Sequence, residues 1–257
     1  MIGDIVNQLK DKDMSIDSPV SRVQRVRHEL KIRQVEVLSV RAIGSHFRSI
    51  TFGGAALHDF HSASFDDHVK FILGDGPDAV RRDYTPRSFD PVGGELVIEF
   101  ALHGDGPCAA WAAQAAPGQQ VIIGGPKGSL IIPVDYEWHL LVGDETGLPA
   151  IARRLEELPA GTRATVIVKI DDAADRRVFA GQAEVDLRWV ASDAELLAAV
   201  QAWTRPAGDG YAWCAGEAAT MTAVRQELVG VKGLDKTAIR AAAYWKRGGS
   251  GFHENLE

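Results

Sequence analysis

The sequence predicts two domains, an antiparallel β-barrel followed by an α/β domain built on a parallel sheet. Two observations predict it. Between Gln34 and Ile132 short period-two runs rich in β-branched residues are separated by glycine- and proline-rich turns, the pattern of a closed antiparallel barrel. After Asp135 strand patterns alternate with longer helical ones, the rhythm of a parallel, nucleotide-binding type of sheet. The chain of 257 residues has room for both. The reading divides it into a polar lead-in over 1–26, a barrel domain over 27–134, an α/β domain over 135–247 and an irregular tail over 248–257.

In order, Ile2, Ile5, Val6 and Leu9 have the spacing of a short helix. Barrel strands are expected at Gln34–Arg41, Phe47–Phe52, His68–Leu73, Arg82–Phe89, Glu95–Leu102, Gln120–Ile123 and Ser129–Ile132, with one short helix at Pro107–Gln114. The turns Gly53-Gly54, Gly74-Asp75-Gly76-Pro77, Pro91-Val92-Gly93-Gly94 and Gly124-Gly125-Pro126 punctuate them. In the second part strands are expected at Trp138–Val142, Ala164–Ile170, Leu187–Val190, Tyr211–Cys214 and Ala238–Tyr244. Helices are expected at Pro149–Leu158, Asp193–Trp203 and Glu217–Val229, the second opened by the capping box Ser192…Glu195.

Composition excludes several classes. Lys plus Arg number 28 against 35 Asp plus Glu, a net charge of −7, which argues against a dedicated nucleic-acid binder. Two cysteines, Cys108 and Cys214, are too few for a disulfide framework or a cysteine-built metal centre, and no metal site is expected. Apolar runs such as Cys108–Ala113 fall far short of the ~20 residues of a membrane span. The charged N-terminus has no apolar signal region, so the expected compartment is the cytoplasm with both thiols reduced.

A barrel followed by an α/β domain suits a protein that holds a flavin on the first and a second nucleotide on the other, although fold alone does not decide function. In Arg82-Asp83-Tyr84-Thr85-Pro86-Arg87 alternation places Arg82, Tyr84 and Pro86 on one face. Tyr84 can be a platform for a flavin ring, Arg82 a cation for its pyrophosphate and Thr85 a hydroxyl near its reactive edge. The same pattern also suits an exposed strand with solvated arginines. His103-Gly104-Asp105-Gly106-Pro107-Cys108-Ala109-Ala110-Trp111 runs from a strand through a glycine turn into a helix with proline in its first turn, a junction suited to an anion. His103 reads as a structural or hydrogen-bonding histidine and Cys108 as a packed small residue. Gly125-Pro126-Lys127-Gly128-Ser129 is a tight turn that aims a lysine outward. Gly143-Asp144-Glu145-Thr146-Gly147 and Ala215-Gly216-Glu217 are strand-to-helix turns on one edge of the parallel sheet, where a dinucleotide pyrophosphate would rest. Glu145 nonetheless stands where a second glycine is expected.

Taken in order, these segments, with Leu148–Arg153 and Tyr244-Trp245-Lys246-Arg247-Gly248, resemble the siderophore-interacting protein family, the FAD-dependent ferric-siderophore reductases related to ferredoxin–NADP reductases. The resemblance spans about Arg33 to Gly248. It implies FAD held on the barrel by Arg82, Tyr84, Thr85, Arg87, His103, Asp105, Gly106, Pro107, Ala109, Ser129 and Thr146. It implies an electron donor, NADPH or NADH, at Asp144, Glu145, Thr146, Gly216 and Glu217; the alternatives are reduced ferredoxin as the donor, or a flavin- or siderophore-binding module that does not turn over. It also implies a cationic pocket for an anionic ferric siderophore, formed by Lys127, Lys246 or Arg247, and Arg48. No protein acid or base is required, because the flavin carries the chemistry.

Overall fold

The computed structural model describes residues 22–102, 106–249 and 254–256; the segment expected to hold a short N-terminal helix lies outside them. The first part contains strands β1 (Gln24–Arg27), β2 (Ile32–Ile43), β3 (Phe47–Gly53), β4 (Val69–Leu73), β5 (Val80–Tyr84), β6 (Pro86–Asp90), β7 (Glu95–Ala101), β8 (Gln120–Gly124) and β9 (Gly128–Ile131), with helix α1 (Pro107–Ala113) between β7 and β8. Seven of these strands form one antiparallel sheet in the order β5-β4-β8-β2-β3-β7-β6, and β1 pairs with β9 beside it. Residues 24–26, expected in the lead-in, therefore belong to a strand.

The two edge strands of this sheet, β5 and β6, are consecutive in the chain and separated by Thr85 alone. The sheet curls until its edges meet at one residue, yet no ladder joins them. The expected closed barrel is thus an open, curled sheet, and the expected strand Arg82–Phe89 is two. Pro86 contributes to this break, since it has no N–H to donate to a ladder. Inside the curl, alternation of β2, β3 and β7 delivers Val35, Val37, Ile50, Phe52, Ile98 and Phe100 to one core. Helix α1 closes it with buried Cys108 and Ala112, and Trp111 stacks on Phe52 with ring centres 6.4 Å apart. Each fully buried aromatic here is worth roughly 1.5–3 kcal/mol, so the wall that carries Tyr84 is stiff.

The second part contains β10 (Trp138–Gly143), α2 (Leu148–Glu157), β11 (Arg163–Lys169), β12 (Glu184–Val190), α3 (Asp193–Ala202), β13 (Gly210–Glu217), α4 (Ala218–Gln226), β14 (Ile239–Trp245) and β15 (Glu254–Leu256). Its sheet runs β12-β11-β10-β13-β14-β15. The first five strands are parallel, and β15 pairs antiparallel with β14. The sheet is therefore mixed rather than purely parallel, and Glu254–Leu256, expected in an irregular tail, forms its edge. Every residue of β10 and β13 is buried, as befits central strands covered on both faces. One face packs Leu148, Ile151 and Leu155 of α2. The other packs Leu196 and Val200 of α3 and Met221 and Val224 of α4. The Ser192 hydroxyl caps α3 by accepting the Glu195 N–H at 3.2 Å, while the Glu195 carboxylate reaches back to the N–H of Ala191.

The two sheets are locked together by buried polar contacts. The Asp66 carboxylate accepts from Trp213 Nε1 at 2.8 Å and Arg240 Nε at 3.0 Å. Arg153 donates to Ser62 and to the Pro86 carbonyl. Phe47 and Phe65 of the first part belong to the same apolar cluster as α2 and β13. These contacts fix the cleft described next.

Candidate active site at the junction of the two sheets

A cleft of about 200 Å3 opens where the curled sheet meets the C-terminal edge of the mixed one. The curled sheet contributes Arg82, Asp83, Tyr84 and Thr85 from β5 and its junction, and Gly106, Pro107, Cys108 and Ala109 from the start of α1. The mixed sheet contributes Glu145, Thr146 and Pro149 from the first strand-to-helix turn, and Tyr244 and Trp245 from the end of β14. His68, Phe47, Glu99 and Ala101 complete the wall.

Tyr84 packs against Phe100 with ring centres 4.4 Å apart and edge-on to Phe71 at 5.8 Å. Burial, together with the adjacent Cys108, raises its phenol pKa, so it stays protonated. Burial likewise raises the Cys108 thiol, which agrees with a packing role for that residue. Arg82 is half-buried on the cleft wall and uses one guanidinium N–H on the Arg81 carbonyl. Asp83 pairs with Lys70 through one oxygen at 2.7 Å, while its other oxygen is buried without a hydrogen-bond partner. A cation, an aromatic wall, a buried hydroxyl and an orphaned acceptor fit the phosphates, ring and hydroxyl or N–H donors of FAD. Open space around Gly106, where an added Cβ would meet nothing within 4 Å, fits them too.

Other expected FAD residues are placed differently. The Arg87 guanidinium is bound to the Glu156 carboxylate and lies 3.5 Å from Glu99, tying β6 to α2 rather than facing the cleft. Ser129 is buried and donates to Asp67 at 2.8 Å, with His28 Nε2 also at 2.8 Å. It is spent on holding β9 to the 62–67 loop. His103 and Asp105 lie outside the described residues.

The donor turns show a consistent pattern of internal use. The Asp144 carboxylate is 3% exposed and accepts four hydrogen bonds. These come from the Thr146 N–H (2.9 Å), the Thr146 hydroxyl (2.5 Å), the Glu217 N–H (2.9 Å) and Trp245 Nε1 (2.8 Å). Glu217 caps α4 by accepting the N–H groups of Ala219 and Thr220, and its second oxygen takes that of Arg247. Burial pushes the Glu217 carboxyl up, but the amides of Thr220, Arg247 and Ala219 outweigh it and hold the carboxyl low. Glu145 accepts the Asp171 N–H at 2.5 Å, with Lys169 Nζ at 3.7 Å. Burial raises its carboxyl, partly offset by Lys169. A Cβ at Gly216 would lie 2.6 Å from Asp144 Oδ2, so this glycine makes room for Asp144. Of the donor set, Glu145 and Thr146 line the cleft, whereas Asp144, Gly216 and Glu217 stand behind it.

The expected cationic residues are dispersed. Lys127 is exposed on the turn between β8 and β9, and its carbonyl accepts the His28 N–H. Arg48 donates to the Phe47 carbonyl from the opposite face of β3. The Arg247 guanidinium meets Asp193 at 3.0 Å, and Lys246 is exposed beside Trp245. None of the four is among the cleft-lining residues. Sequence reading passed over His68, Asp83 and Glu99 as wall residues. His68 could have been noticed, since it immediately precedes β4, whose first residue, Val69, pairs with Tyr84.

Comparison with known proteins agrees with this geometry. Residues 74–130 match the siderophore-interacting FAD-binding domain model, and residues 136–248 match the siderophore-interacting protein model. The NADPH-dependent ferric-chelate reductase of Escherichia coli K12 is 35% identical over 86% of this chain and 96% of its own length. The ferric vibriobactin reductase of Vibrio cholerae is 33% identical over 68% of each. The crystal structure of a siderophore utilization protein from T. fusca superposes with a TM-score of 0.85 at 30% identity, covering 90% of this chain and 98% of that one. On the model matches, the sequence identity and the superposition, the chain belongs to the siderophore-interacting protein family.

Proposed function

We propose that this chain is a ferric-siderophore reductase that holds FAD in the cleft between the two sheets and draws electrons from NADPH. The observation that carries the reading is that one cleft is walled by Arg82, Tyr84 and Thr85 on one side and by Thr146, Pro149 and Trp245 on the other. A single bound ring system there would be open to a donor from the mixed sheet and to an acceptor from solvent. The division at 134/135 then separates an FAD-holding half from a donor half.

FAD supplies the chemistry by accepting an electron pair and releasing single electrons. The residues of this chain bind and orient it. Tyr84 would offer its ring as a platform, Arg82 its guanidinium to the pyrophosphate, and Thr85 its hydroxyl to the ring system. Gly106–Ala109 let the backbone approach. The wall of Phe47, Ala101 and Pro149 excludes water. Ferric ion is the substrate's cargo. It is held by anionic oxygen ligands more tightly than ferrous ion, since hard charge dominates that bonding, so one electron loosens it without any acid or base from the protein.

The reading extends to the cytoplasm as the site of action, with both buried cysteines reduced. Among the described residues no helix is long and apolar enough to cross a membrane. The test is an anaerobic titration of the purified protein. It should be yellow, bleach on adding NADPH, and recover its colour on adding a ferric siderophore as ferrous ion appears. A folded protein that takes up no FAD refutes the reading at its base. Bleaching by reduced ferredoxin and not by NADPH reassigns the donor.

A further inference from the structure

In a dinucleotide-binding sheet the pyrophosphate rests on free backbone N–H groups at the strand-to-helix turns. Here the N–H groups of Thr146, Gly147, Glu217, Ala219 and Thr220 are already used. The N–H of Thr146 and that of Glu217 go to the Asp144 carboxylate, at 2.9 Å each. The N–H of Gly147 goes to the Asp144 carbonyl at 3.0 Å. Those of Ala219 and Thr220 go to the Glu217 carboxylate at 2.7 and 3.0 Å. The Asp171 N–H, at the end of the neighbouring strand β11, goes to Glu145. Two buried carboxylates, Asp144 and Glu217, thus sit where a diphosphate would sit and satisfy the donors it would need, with Glu145 alongside. An incoming pyrophosphate would have to displace them and would meet their negative charge at short range, where low dielectric makes like charges costly.

Resting on the reading that a reduced nicotinamide is the donor, we infer that Asp144 and Glu217 act as built-in occupants of the phosphate position. The enzyme therefore recognises the donor by its nicotinamide end, at the wall of Thr146, Pro149 and Trp245, and leaves the pyrophosphate unclamped. The chemical class it accepts is then any reduced nicotinamide nucleotide, whether or not it carries an adenylate. The turn that looked like a phosphate cradle in sequence sets specificity by being filled.

The experiment compares flavin reduction by NADPH and by reduced nicotinamide mononucleotide in the FAD-loaded enzyme under anaerobic conditions. The mononucleotide should serve within about tenfold of NADPH in kcat/KM. A preference for NADPH above a hundredfold overturns the inference, and an intermediate preference does so unless the variant below responds as expected. Glu217→Ser keeps a helix-capping oxygen for Ala219 and Thr220 while removing the carboxylate. Thermal stability and FAD content verify that it folds. Its Kd for NADP+, measured by calorimetry, and its KM for NADPH should both fall about three- to tenfold, with the mononucleotide KM unmoved. An unchanged or raised Kd for NADP+ overturns the role assigned to Glu217. If neither nucleotide reduces the FAD although dithionite does, the nicotinamide reading falls and takes this inference with it.

Discussion

The two rims of the cleft are built from opposite materials. On the curled sheet Arg82 spends only one guanidinium N–H on a backbone carbonyl and Asp83 keeps one buried oxygen without a partner, both at the cleft wall. On the mixed sheet Asp144 and Glu217 spend their carboxylates on the N–H groups of the two strand-to-helix turns, and Glu145, though it lines the cleft, spends one oxygen on the Asp171 N–H after β11. Both rims look alike in sequence, as short polar turns or strands with glycine nearby. What separates them is accounting of hydrogen bonds: a polar residue is available to a ligand only when neighbouring N–H groups leave its oxygens unspent.

Breaking the inward rim should have the largest effect on stability. Asp144→Ala leaves the N–H of Glu217, that of Thr146 and the Trp245 indole without their common acceptor in a buried position. Bonds to a charged group are worth about 1.5–3 kcal/mol each and orphaned donors cost more, although solvent and rearrangement recover part of this. A loss of about 3 kcal/mol in urea unfolding is expected. A loss under 1 kcal/mol would mean that the carboxylate is not structural, and the contrast between the rims would fail.

The outward rim should respond in binding rather than in folding. Arg82→Ala removes one guanidinium contact to a backbone carbonyl and leaves the core untouched. The apo-protein should therefore unfold as the parent does. FAD should bind roughly 10- to 100-fold more weakly, the loss of one charge-assisted contact to phosphate. The result that breaks the comparison is the reverse, a destabilised apo-protein with FAD affinity intact.

Much of this was legible before any coordinates. Strands β2, β3, β4, β7, β8 and β9 were readable to within two residues because their alternation reports burial on one face. The helices α2, α3 and α4 were readable from apolar period and caps. What was missed depends on partners distant in sequence. β1 (Gln24–Arg27) is exposed throughout and has no alternation; only pairing with β9 makes it a strand. The interruption at Thr85 reflects the curl of the whole sheet. Arg87 and Ser129 carry the right chemistry for a ligand, but Glu156 and Asp67, far away in the chain, had already claimed them.

Acid should sharpen the same contrast from the side of the mixed sheet. His139 is the second residue of β10, the strand that ends before Asp144, and is 2% exposed. Burial and the nearby Arg154 hold it down at about 3. The unfolded chain takes up a proton near its ordinary value of about 6.5 that the folded chain refuses. Stability therefore falls as pH drops from about 6.5 toward 3. The contribution from this histidine reaches about 2 kcal/mol by pH 5. His139→Asn, which removes the titration and can still donate to the Val134 carbonyl, should flatten that slope in urea unfolding at pH 5–7. An unaltered slope would show that His139 is protonated in the fold.

The smallest effect is expected at Lys127, which stands outside both rims. Its side chain is exposed on the turn after β8 and lines no part of the cleft. Its influence on an anionic ferric siderophore would therefore act through solvent, where a single exposed cation is weak and salt-screened. Lys127→Ala should raise KM for an anionic ferric chelate about two- to fivefold at low salt. The effect should shrink in 0.5 M salt, where the Debye length falls to about 4 Å from about 30 Å in 0.01 M buffer, and flavin reduction should not change. A neutral ferric complex should be nearly indifferent. Should neutral and anionic complexes suffer equally, Lys127 must act on the turn that carries it, whose carbonyl holds the His28 N–H. It would then belong with the inward rim, as one more polar residue whose visible charge is incidental to the contacts it keeps.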